Sequence, residues 1–88
     1  MARSRRSSLW GRISGGELRN VGFTEFCRLI ERFGFELRRV SGSHHIYRHS
    51  EVPRPFSLQP RNGEAKPYQI AQFLDIVEEY KLTMEPPE

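Results

Sequence analysis

Gly42-Ser43-His44-His45-Ile46-Tyr47-Arg48-His49 is the stretch against which the rest of the chain is read. It carries all three histidines of the 88-residue protein. Ser41-Gly42-Ser43 is a small, flexible turn, and His44 to His49 is a β-prone run. Upstream, Phe35 to Val40 reads as a strand, with Phe35 and Leu37 on one face and Glu36 and Arg38 on the other. Downstream, Ser50 to Pro55 contains two prolines and reads as a loop. Phe56-Ser57-Leu58-Gln59 is then a third short strand, closed by a turn at Pro60-Arg61-Asn62-Gly63. Three strands so close in sequence form an antiparallel meander.

A helix is expected on each side of this meander. Phe26, Leu29, Ile30 and Phe33 recur at helical spacing, with Glu25, Arg28, Glu31 and Arg32 between them. Thr24 is a suitable N-cap, and Gly34 suits a left-handed stop, so the helix spans 24–33. Cys27 borders the apolar stripe and reads as a small core residue. Pro67 fits the first turn of a second helix, because its missing N–H is not needed there. Ile70, Phe73, Leu74 and Val77 line one side of that helix to about Tyr80, and Gln69, Gln72, Asp75, Glu78 and Glu79 occupy most of the other. The expected fold is α+β in the order α-β-β-β-α, with both helices on one face of the sheet and the other face open. Leu9, Trp10 and Ile13 make a further short helix, ending at Ser14-Gly15-Gly16, that must dock on the body or fray.

Eighty-eight residues make one domain with a modest core, so any site is shallow. A shallow site suits a polymer better than a small metabolite. Residues 1–61 hold twelve arginines against five acids, while residues 62–88 hold two lysines against six acids. Clustered arginine is the electrostatic footprint of a phosphate polymer, since its planar fork grips two oxygens at once. One cysteine permits no internal disulfide and makes the cytoplasm the natural compartment. No apolar run approaches a membrane span, and no apolar segment follows the basic start as in a signal peptide.

Three chemistries compete for the histidines. As metal ligands they are badly spaced. His45 and His49 share a strand face but lie about 13 Å apart at roughly 3.3 Å per residue, and His44 points the other way. Zinc needs nitrogens about 2 Å from one centre, so a metal site is not expected. As structural groups they need only satisfied nitrogens. As acid–base groups they suit RNA cleavage, which needs a proton taken from a 2′-OH and returned to the leaving oxygen. Arg48 offers charge, and Ser43 or Tyr47 a hydrogen bond to phosphate. No Gly-rich phosphate loop, Ser-His-Asp set or close carboxylate pair competes.

Gly-Ser-His-His-Ile-Tyr-Arg-His, the proline-rich loop after it, and Gly63-x-Ala65-Lys66-Pro67-Tyr68-Gln69 entering a helix resemble the HicA toxins of bacterial type II toxin–antitoxin pairs. The resemblance runs from Phe23 to Leu82 and includes the Phe-x-x-Phe-Cys-Arg-Leu-Ile-Glu-x-Phe-Gly-Phe helix. It implies a fold similar to a double-stranded-RNA-binding domain and a metal-independent, cofactor-free mRNA endoribonuclease of the bacterial cytoplasm. It also implies a HicB-type antitoxin partner, through which DNA is met only indirectly. The family histidine maps onto His44, with His45 the second candidate. Ser43, Arg39, Arg48 and Lys66 are then the candidate RNA contacts. By this reading residues 1–22 are a partly disordered basic extension, 23–82 the RNA-cleaving domain, and 83–88 a mobile acidic tail. The alternative function is a non-catalytic module that holds duplex RNA on the same fold.

Overall fold

The computed structural model describes residues 8–86. Its elements are α1 (Leu9–Ser14), α2 (Phe23–Arg32), β1 (Glu36–Ser41), β2 (His44–His49), β3 (Val52–Leu58) and α3 (Pro67–Tyr80). The strands form one antiparallel sheet in the order β1-β2-β3. The helix–meander–helix order expected from the sequence is therefore present, and α2 and α3 share one face of the sheet. That order is compatible with a double-stranded-RNA-binding domain.

Helix α2 begins earlier than Thr24. Gly22 is its N-cap, and Thr24 lies inside the first turn. The Phe23 N–H is drawn to the Gly63 carbonyl at 3.0 Å, and the Phe26 N–H to the Gly22 carbonyl, so the winding starts at Phe23. The other end behaves as expected. Phe35 N–H reaches back to the Ile30 carbonyl and Gly34 N–H to that of Glu31, the paired bonds of a Schellman stop. Gly34 has φ +100°, and a Cβ there would lie 2.8 Å from Nε2 of His49. Both the backbone angle and the close ring require glycine.

Gly42, at φ +61°, opens the two-residue turn between β1 and β2 and brings Ser41 opposite His44. The alternation expected along Phe35–Val40 does not persist. A bulge between Leu37 and Arg39 shifts the register, so Phe35 is buried while Leu37 on the edge strand is largely exposed. Strand β3 is longer than Phe56–Gln59. It starts at Val52 and runs through Pro53 and Pro55, which the sequence alone reads as a loop. An edge strand tolerates proline because one side of it needs no donor.

Phe73 of α3 is the centre of the core. Its ring stacks on Phe56 of β3 and meets Phe26, Phe33, Phe35 and Trp10 edge-on or tilted, with centroids 5.2–6.4 Å away. Each such pair contributes about 0.5–1.5 kcal/mol beyond burial. Helix α1 docks as it must: Ile13 is fully buried, and Trp10 lies 4.9 Å from Phe33. Val21 is fully buried as well, and its carbonyl accepts from the Ala65 N–H. Residues 8–22 thus belong to the folded body. Of the disordered arm expected at residues 1–8, Ser8 is instead the N-cap of α1, its Oγ accepting from the Gly11 N–H, and the rest lies outside the described residues. Thr83–Pro86, expected to be mobile, is docked. Met84 is buried, and the Glu85 N–H and Pro86 carbonyl bond to the carbonyl and guanidinium of Arg32.

Candidate active site

The β1–β2 turn, the end of β3 and the start of α3 meet at one end of the sheet. Gln59, one residue past β3, joins them. Its amide Nε2 donates to Ser43 Oγ at 3.0 Å, and its Oε1 accepts from Lys66 Nζ at 3.2 Å. The Gln59 backbone N–H donates to Oε1 of Gln69, whose Nε2 reaches the Ser57 carbonyl. Gln69 is only 6% exposed, so these bonds fix the first turn of α3 against β3. Ser43 and Lys66 are thereby connected across 23 positions of sequence through a residue that the sequence did not mark.

The two adjacent histidines flank this network. His45 is half-buried on the helix-covered side, its ring edge-on to Phe23 at 4.9 Å. Its Nδ1 lies 3.2 Å from the Ser43 carbonyl. A carbonyl only accepts, so Nδ1 carries the proton and Nε2 is left as the acceptor. His44 is exposed, and no hydrogen bond among the described residues holds its ring. It lines an open cleft of about 570 Å³ with Gln59, Tyr68, Gln72, Asp75 and Glu79, among others. Its Gln59 end is neutral, and toward the middle of α3 it carries Asp75 and Glu79 with Arg54 of β3.

His49 is used differently. Its Nδ1 accepts from the Glu51 N–H at 3.0 Å, so Nε2 is protonated and donates to the Phe33 carbonyl at 2.9 Å. Both nitrogens are engaged and neither is left for a ligand. Tyr47 is also structural and not a phosphate contact. It is 2% exposed, and its hydroxyl donates to Glu31 at 3.4 Å. Burial, then its bond to Cys27 and the Glu31 charge, push its phenol well above the usual range. Burial likewise raises the Cys27 thiol, with Tyr47 opposing and Glu31 adding to the rise. A thiol held protonated is a poor nucleophile, in keeping with a packing role.

The structure therefore links Ser43 and Lys66 through Gln59 and sets His45 against Ser43, while His44 points away from His45 into the cleft that Gln59 also lines. It does not bring Arg48 to them. Arg48 lies about four residues, or roughly 13 Å, along β2 from His44, and lines a separate hollow with Arg38 and His49. Arg39 lies opposite Ile46 and is exposed. Sequence reasoning missed Gln59 and Gln69. Gln69 falls on the polar side of its helix by period, and nothing local shows that the end of β3 covers it.

These features define a small α+β protein with a shallow polar site built from imidazole, amide and ammonium groups. The match to the family described as the HicA toxin of bacterial toxin–antitoxin pairs covers residues 23–78, and the chain belongs to that family. Membership makes it the toxin of such a pair and implies a cognate antitoxin partner. The chain matches no curated protein and no solved structure. No helix among the described residues is long and apolar enough to cross a membrane.

Proposed function

We propose that this toxin is an endoribonuclease that cleaves mRNA in the cytoplasm by histidine acid–base catalysis, without a metal ion. The observation that carries the reading is the held ring of His45, with Nε2 free, beside the Ser43–Gln59–Lys66 network. Nε2 of His45 takes the proton of a ribose 2′-OH. The 2′-oxygen attacks phosphorus, the bond to the 5′-oxygen breaks, and a 2′,3′-cyclic phosphate is left. The leaving oxygen takes a proton from water, and the hydroxide so formed takes the proton held by His45, which closes the cycle. His44, pointing away from His45 into the cleft, holds the substrate strand. Lys66 offsets the charge gathering on the phosphoryl oxygens, and Ser43 hydrogen-bonds one of them. Sequence alone favours His44 as the principal group. The ring of His45, held at Nδ1 by the Ser43 carbonyl, supports His45 as the base in this reading. Arg39 and Arg48 hold phosphates further along the strand.

Purified protein given single-stranded RNA and EDTA tests this. Cleavage is expected to persist, and 2′-O-methyl RNA and DNA of the same sequence are expected to bind and resist cutting. Deoxy substrates cut as fast as RNA would exclude attack by the 2′-oxygen. A chain that binds RNA and cuts none would return the alternative, a binding module.

A further inference from the structure

Tyr68 follows the proline that starts α3, and it is 59% exposed. The helix does not use it for packing. Its buried apolar residues are Ile70 and Phe73, and position 68 lies about 200° around the axis from Ile70, at roughly 100° per residue. Its ring instead lines the cleft with His44 and Gln59 and lies 6.0 Å from Lys66 Nζ. The next residue, Gln69, is the buried glutamine bonded to Gln59 and Ser57. The ring is thus presented to solvent from a backbone that is pinned to the sheet.

We propose that Tyr68 is a stacking platform for one unpaired base next to the phosphate held by Lys66, so that the site takes single-stranded RNA. The inference rests on the RNA reading above and adds the strandedness of the substrate and a residue that contacts it. Three observations converge on it. A flat, exposed aromatic offers a π-face that any base can cover. The Lys66 ammonium, over one face of the ring at 6.0 Å from its centroid, offers a partner for the phosphate of a base on the other face. The opposite end of the cleft carries Asp75 and Glu79 against Arg54, two carboxylates to one guanidinium, which makes it the less favourable end for a phosphate chain. The strand is therefore expected at the Tyr68 end of the cleft and not along α3. In a duplex both faces of each base are already stacked on neighbours, and none is free for the ring.

The test uses the full chain, a short 2′-O-methyl single strand that cannot be cut, and a duplex of the same sequence. Tyr68→Ala is expected to weaken single-strand affinity about tenfold, the size of one base–aromatic stack. Tyr68→Phe and Tyr68→Trp should stay within about twofold, since they keep a ring. Duplex affinity should be the same for all four proteins. An abasic site placed opposite Tyr68 should remove the difference between Tyr68→Ala and the parent. Unchanged single-strand binding by Tyr68→Ala would overturn the proposal, as would equal losses in Tyr68→Ala and Tyr68→Phe. So would normal RNA binding by a Tyr68→Ala chain that no longer holds its antitoxin, which would make Tyr68 a protein contact. Cleavage is read separately: a parent that binds as expected but cuts nothing refutes the nuclease reading and leaves the stacking inference standing.

Discussion

The two ends of β2 carry the same residue type and use it in opposite ways. At one end His45 has one nitrogen held by the Ser43 carbonyl and the other left open, beside an exposed His44. At the other end His49 has both nitrogens closed, between Glu51 and Phe33, with Gly34 pressed against its ring. Residue identity alone does not distinguish reactive from structural imidazole. The number of ring nitrogens already satisfied does.

The largest break in that comparison is at the open end. His45→Ala is expected to slow RNA cleavage about 10²–10⁴-fold, the usual weight of a general base. Its urea midpoint should stay close to the parent's. If the variant unfolds instead, His45 is a second structural histidine and the contrast is false. At the closed end the expected effect is on stability. Gly34→Ala must hold a left-handed φ and displace the His49 ring, a loss of about 2–3 kcal/mol. Equilibrium unfolding measures it, and cleavage per folded molecule should be retained. A parent-like melting curve would mean that the ring moves aside freely.

Lys66→Ala sharpens the open end further. It removes a charge and the bond to Gln59 Oε1, leaving Gln59 bonded to Ser43, so the RNA affinity should fall about tenfold and its salt dependence should flatten. Titrating binding at several salt concentrations checks this. An unchanged slope would remove Lys66 from the phosphate path. The smallest effect lies between the two ends, at Tyr47. Its phenol ionises above pH 10 when folded but near pH 10 when unfolded. Its contribution is whole below pH 10 and is lost as pH rises further. Melting followed from pH 9 to 11 should therefore show a shallower decline for Tyr47→Phe than for the parent. Equal slopes would show that another group sets alkaline stability.

Much of this was legible in the sequence. The helical spacing of Phe26, Leu29, Ile30 and Phe33, the glycine stop at Gly34 and the Gly42 turn each encode their geometry locally, and each forms. What failed was non-local. Pro53 and Pro55 look like loop residues until β3 is known to be an edge. Leu37 looks buried until the bulge turns the strand. Gln59 and Gln69 look solvated until the end of β3 meets the start of α3. The folded unit is also wider than the family match. Ile13 and Val21 lie before residue 23, and Leu82 and Met84 after residue 78, yet all four are buried. A chain trimmed to 23–78 would lose part of its core.

The prolines of β3 have one more consequence. A sheet edge is an invitation to another strand, because its free N–H and C=O groups await partners. Pro53 and Pro55 remove two of the donors from that edge, and their fixed rings obstruct an incoming backbone. Molecules that meet along β3 cannot zip into a continuous ribbon. The protein carries its own guard against clumping on that side.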